Sequence, residues 1–389
     1  MTRRLAAALG ALALAASPAL AQEPVKIGLI MAYSGQFADA SKQMDNAVKL
    51  YVQKHGDTVA GRKIEFIRRD TGGVPDNAKR HAQELLVRDK VDVLAGFVIT
   101  PEALSVADLS AEAKKLMVVM NAATSVITTR SPYIVRTSVT VPQLNEAFGA
   151  WAYRNGVRKA FTMVADYGPG IDAEGAFHRA FKDAGGDLLG SVRMPVANPD
   201  FFPFVQRAKD LNPEAIYVFI PGGAQPAAFG KALTDLGIDA KRTRILGQGE
   251  ITDENALKVM GNAGLGMITA FHYDYNHPSK ANAEFVAAYK AANGRNPDIY
   301  SIGGWDGMHL IYEALKKTGG KSDGDSLIAA AKGMKWESPR GPISIDPETR
   351  DIIQTVYIRR VEKVGEQLLN VEIDKIENVK DPVKARMKN

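Results

Sequence analysis

The chain contains no cysteine. Thiol nucleophiles, disulfide staples and thiolate metal sites are excluded, so stability in an oxidising compartment has to come from burial of a large core. Histidine is sparse, with six scattered through 389 residues. The closest pair, His272 and His277, sits in an aromatic and polar run that reads as a crossing between domains rather than a metal site. Charge is nearly balanced at a formal +5, with no concentrated basic tract, which makes nucleic acid a poor partner. Beyond residue 24 no run is long and apolar enough to span a bilayer. Signatures of catalysis are missing too. There is no G-x-S-x-G elbow, no G-x-x-x-x-G-K-[ST] phosphate loop, no H-E-x-x-H, and no G-x-G-x-x-G after the first strand. Asp323-Gly324-Asp325 lacks the further ligands of a calcium loop and reads as a solvated turn. No metal and no cofactor are expected.

What is present begins with the first 24 residues. Arg3 and Arg4 precede an apolar stretch from Leu5 to Ala16, and Ala19-Leu20-Ala21 has the small-residue spacing of a cleavage site. Residues 1–21 therefore read as a signal peptide cut after Ala21. Without cysteine no lipid can be attached there, and the mature chain is expected to be soluble and periplasmic. An uncleaved anchor is the alternative, and the shortness of the apolar stretch opposes it.

The rest of the chain alternates β-branched strands with amphipathic helices. Strands are expected at 25–30, 64–68, 93–97 and 116–120, with helices at 45–54, 76–88 and 101–115 between them. Asp76 is a plausible N-cap of the second helix. The rhythm restarts after Val141-Pro142. Strands follow at 160–165, 188–193, 215–220, 244–246, 266–271 and, late, 352–361. Such order gives parallel sheets covered on both faces, and the length suits two domains. The pattern assigns no element beyond Glu362.

Open parallel sheets bind ligands beyond the carboxyl ends of their strands. Thr100 and Thr124 each follow an expected strand, and a hydroxyl beside a helix N-terminus can receive a carboxylate, although simple capping is the competing role. Tyr167 follows another strand. Phe37, Phe97 and Tyr300 are either cleft walls or core aromatics. Arg136 could clamp a carboxylate, and a structural ion pair near a domain crossing is the stronger reading.

Several segments fall in a familiar order: Val25-Lys26-Ile27-Gly28-Leu29-Ile30, Ser34-Gly35, Asp70 with Asn77-Ala78, Ala95-Gly96-Phe97, Asn121-Ala122-Ala123-Thr124, Arg136-Thr137 and Asp166-Tyr167-Gly168. Their collinear order resembles the leucine/isoleucine/valine-binding family of periplasmic substrate-binding proteins of ABC transporters. The resemblance implies the type I periplasmic binding fold, an α/β architecture of two doubly wound parallel-sheet lobes joined by a three-segment hinge. Lobe 1 would be 24–140 plus 272–351, and lobe 2 would be 141–271 plus 352–389. It implies a protein without enzymatic activity, a monomer that closes on a small carboxylate and delivers it to a membrane permease. By resemblance the ligand-binding positions are Phe37, Phe97, Thr100, Ala122, Thr124, Tyr167, Gly223, Glu250 and Tyr300.

Two departures bear on the ligand. Glu250, which would pair with an ammonium, aligns one position late, and a family aromatic is missing at the Gly222-Gly223 turn, which leaves extra room. The family's commonest use favours a branched-chain or similar amino acid. The alternatives are an aromatic carboxylate of benzoate or cinnamate type, a ligand-sensing module on the same scaffold and, least favoured, a secreted hydrolase.

Overall fold

The computed structural model describes residues 23–238 and 242–387, so the expected signal peptide lies outside the described residues. The first sheet contains β1 (Val25–Met31), β2 (Thr58–Val59), β3 (Arg62–Asp70), β4 (Val93–Gly96), β5 (Leu116–Val119) and β6 (Ile134–Arg136). Its order is β2-β3-β1-β4-β5-β6, parallel except where β2 turns back on β3. The chain then builds β7 (Lys159–Ala165), β8 (Asp187–Met194), β9 (Ala215–Phe219), β10 (Arg244–Gln248) and β11 (Ile268–Phe271) as the parallel part of a second sheet. Strands such as Ala-Ile-Tyr-Val-Phe in β9 are buried along their whole length, as expected when helices cover both faces.

The end of the chain departs from the sequence pattern. A hairpin of β12 (Lys335–Ser338) and β13 (Gly341–Ile345) leads to β14 (Ile352–Val364), which runs antiparallel to β11. The charged segment after Glu362 forms β15 (Gln367–Val379), paired with β14 through a tight turn at Gly365. Only Asn370 of β15 is buried, and the alternation of Leu369, Val371 and Ile373 is short and set among charged residues such as Lys375 and Glu377. Pairing with β14, whose own Val356 and Ile358 are in the core, is what makes it a strand. Asp76 also differs from expectation. Val74 takes the cap position and Asp76 lies in the first turn behind Pro75, where its charge still meets the helix dipole.

The two sheets give two lobes, each with its own core. Ile27, Val93 and Val118 pack with Met308, Ile311 and Leu315 of helix Ile299–Lys317 and with Ile352. Leu144, Phe148, Phe177, Tyr217, Leu246 and Ile358 form the other core, where Phe177 stacks on Tyr217 at 4.2 Å. Between the lobes buried polar side chains tie neighbouring segments together. Arg340 and Gln354 both donate to the Ser138 carbonyl at 3.1 and 3.2 Å, and Gln143 donates to that of Ile352 at 2.7 Å.

Gly303 explains how helix Ile299–Lys317 reaches the ligand side of the first sheet. A Cβ at this residue would lie 2.0 Å from the Met120 carbonyl oxygen, so only hydrogen fits where the helix crosses the end of β5. That contact brings Tyr300, one turn earlier, beside the carboxyl ends of the strands.

Candidate ligand cleft

A cleft opens between the lobes. On one side it is lined by Phe37, by Ile99 and Thr100 after β4, by Asn121, Ala122 and Ala123 after β5, and by Tyr300. On the other side are Tyr167 and Pro169 after β7, Phe219 and Gly222 at the end of β9, and Gln248 and Glu250 after β10. Adjacent parallel strands β4 and β5 place their following turns together. Asn121 locks the two turns by donating from Nδ2 to the Val98 carbonyl at 2.7 Å.

Thr100 opens helix Thr100–Ala113 but does not cap it with its side chain. Its Oγ1 instead shares a hydrogen bond with Thr124 Oγ1 at 2.9 Å and accepts from the Thr124 N–H at 3.4 Å. Ile99 and Thr100, at the start of this helix, line the cleft, and a helix N-terminus is a favourable end for an anion.

The opposite end is acidic and nearly neutral at once. Gln248 Nε2 donates to both oxygens of Glu250 at 2.9 Å. Gln248 is turned that way because its own oxygen accepts from buried Asn145 at 2.9 Å, and Asn145 in turn accepts from the Tyr217 hydroxyl. Burial pushes the Glu250 carboxyl up to about 7, against the opposing pull of Gln248 and the more distant Arg359. Glu250 is the only ionisable carboxyl among the lining residues, and no lysine or arginine lines the cleft.

A raised carboxyl has a definite consequence for stability. The native state keeps the Glu250 proton over a range in which the unfolded chain loses it, so the contribution to stability declines as pH rises from about 4.5 to about 7. The ligand-free Glu250→Gln variant is therefore expected to gain about 1–2 kcal/mol over wild type at pH 8, after discounting for cleft water, and almost nothing near pH 4.5. Urea unfolding at the two pH values measures this, and an equal gain at both would contradict it.

The structure brings Phe37, Thr100, Ala122, Tyr167, Glu250 and Tyr300 together around one space. Three expected site residues stand elsewhere. Phe97 has a left-handed backbone (φ 64°) directly after β4, which turns its ring into the helix-packed core with Ile30, Val106 and Met117, fully buried and away from the cleft. Thr124 is one layer behind the lining and acts on Thr100. Gly223 has positive φ, and a Cβ there would meet nothing within 4 Å, while its neighbour Gly222 is the residue that borders the cleft. A Cβ on Gly222 would stand 3.5 Å from Tyr300 Oη, so the missing aromatic at this turn makes way for Tyr300.

Sequence reasoning also passes over Phe219 and Gln248. Phe219 ends β9 and lies 6.3 Å from the Tyr167 ring, taking up part of the extra room expected at the turn beyond it. Its signal is its place as the last aromatic before a strand-end turn. Elsewhere, His277 bonds Glu372 at 2.8 Å, Asp323 caps a helix, and no group of metal-ligating side chains occurs among the described residues. No helix among them is long and apolar enough to cross a membrane.

Comparison with known proteins agrees with this geometry. The family model described as periplasmic binding protein matches residues 24–366. A curated relative, Leu/Ile/Val-binding protein homolog 6 of Brucella melitensis, is 42% identical over 379 residues, covering 96% of this chain and 97% of the relative. A solute-binding protein of an ABC transporter from Rhodopseudomonas palustris BisB5, solved with 3,4-dihydroxybenzoic acid, is 55% identical with a TM-score of 0.89, covering 93% of this chain and 99% of that one. Another from Rhodopseudomonas palustris HaA2, solved with p-hydroxybenzoic acid, is 43% identical with a TM-score of 0.90, covering 93% of this chain and 100% of that one.

Proposed function

Since the chain belongs to the periplasmic binding protein family, we propose that it captures a hydroxylated aromatic carboxylate for the membrane permease of an ABC importer. The observation that carries this reading is the lining of the cleft. Phe37 and Tyr300 on one side and Tyr167 and Phe219 on the other supply rings around a flat apolar body. Thr100 and the helix N-terminus beside it receive the ligand carboxylate. Glu250, held by Gln248, accepts the ligand's phenolic O–H at the far end. A carboxyl that loses its charge near neutrality is a good acceptor for a neutral hydroxyl and a poor permanent partner for an ammonium. The two similar Rhodopseudomonas proteins bind acids of this type.

The ligand touches both lobes only when they close, so its differential affinity shifts the population toward the closed form. In this reading lobe 1 is 24–140 with 272–351, lobe 2 is 141–271 with 352–389, and the protein works as an exported monomer after cleavage behind Ala21. It carries its ligand in this reading and does not transform it, as substrate-binding proteins of ABC transporters do. A thermal-shift screen of ligand-stripped protein tests the class. At 100 times its dissociation constant, 4-hydroxybenzoate or 3,4-dihydroxybenzoate is expected to stabilise by about 2.7 kcal/mol, with no shift from leucine, isoleucine or valine. The reverse pattern would restore the branched-chain amino acid as the ligand.

A further inference from the structure

A second, small cavity lies directly behind the far end of the cleft. Only Glu250 and Tyr300 line both spaces, so these two side chains form the partition between them. Tyr300 reaches with its hydroxyl from helix Ile299–Lys317 toward the Gly222 turn on the opposite lobe, 3.5 Å from where a Cβ on Gly222 would stand. Its backbone is fixed independently of the ring. Asp298 Oδ1 accepts from the N–H groups of Tyr300 and Ser301 at 3.0 and 2.9 Å. No hydrogen bond ties Tyr300 Oη to a described residue, so the ring is the removable part of a well-anchored position. The space behind it is mixed in character, with Phe271, Tyr273 and Pro297 standing beside Asp253, Asp298 and Arg359.

We propose that Tyr300, backed by Glu250, sets the length of the ligand, and that the cavity behind it accepts a polar extension para to the carboxylate once the ring is cut back. This rests on the aromatic-acid reading. With the carboxylate at Thr100, a para hydroxyl ends at Glu250, and any longer para substituent collides with the Tyr300–Glu250 partition. The class admitted through an opened partition is a benzoate with a short hydroxyl- or amide-bearing para tail.

Calorimetry with 4-hydroxybenzoate and 4-(2-hydroxyethyl)benzoate tests this on wild type, Tyr300→Ala and Tyr300→Phe. Wild type and Tyr300→Phe are expected to bind the short acid at least about tenfold more tightly than the extended one. Tyr300→Ala is expected to bind the extended acid at least about tenfold more tightly than wild type does. The wild-type preference is decisive even without the variants. Equal binding of the two acids by wild type, or an extended-acid affinity unchanged in a folded Tyr300→Ala, overturns the proposal and leaves the aromatic-acid reading standing. Failure of wild type to bind any ring acid removes both.

Discussion

Arg136→Ala is expected to lower the unfolding free energy by about 2–5 kcal/mol, from the buried carbonyls that lose their donor and the space left in a buried site. The guanidinium is fully buried and serves three places at once. It donates to Asp351 at 3.0 Å, to the Ala122 carbonyl at 3.0 Å and to the Thr124 carbonyl at 2.9 Å. The first bond ties the end of β6 to the segment entering β14, and the other two brace the turn that carries the ligand-facing groups. Lys384 remains beside Asp351 in the variant and keeps that carboxylate paired, but the two carbonyls lose their donor. Ligand affinity should fall along with stability, because the turn must then be ordered at the expense of binding energy. Urea unfolding of ligand-free protein is the measurement, and a loss below about 1 kcal/mol would show that the surrounding bonds suffice without Arg136.

Thr100→Val is expected to weaken binding of the ring acid by about 1.5–3 kcal/mol, or roughly ten- to hundredfold. Valine keeps the shape of the side chain and removes the hydroxyl proposed to receive the carboxylate. The ligand carboxylate would lose a charge-assisted hydrogen bond and gain a methyl group in its place. Thr124→Val removes the group that orients Thr100 and should cost less, about 0.5–1.5 kcal/mol. Titration calorimetry on both variants ranks them. Equal losses would mean that Thr124 touches the ligand directly, and no loss from Thr100→Val would place the carboxylate elsewhere.

The legibility of the chain follows from where the physical signal is strong. Strand-helix alternation in β1 to β11 is written as buried apolar runs separated by amphipathic helices, and the parallel topology follows from that order. The rule that ligands sit beyond strand ends points to Thr100 and Tyr167 from sequence, whereas Ala122 comes from the family resemblance. Arg136 reads from sequence as a structural ion pair rather than a clamp, and its bond to Asp351 bears this out. Phe97 misleads because a single left-handed residue redirects a side chain, and periodicity carries no information about one backbone dihedral. β15 is hard to read because its alternation, Leu369, Val371 and Ile373, is short and set among charges, and pairing with β14 is what makes it a strand. Glu250 is legible as a candidate, but its setting is not. Its orientation depends on Gln248, Asn145 and Tyr217, and the last two are distant in sequence and reach it only through the packing of β9, β10 and helix Val141–Arg154.

The central claim is that the cleft selects a ring carboxylate over an α-amino acid. The most direct measurement is titration calorimetry of ligand-stripped protein with 4-hydroxybenzoate, first alone and then in the presence of excess leucine. A single site filled by 4-hydroxybenzoate, with the same heat and affinity when leucine is present, is the expected result. Binding of leucine that abolishes or displaces 4-hydroxybenzoate would contradict the claim and assign Glu250 to an ammonium.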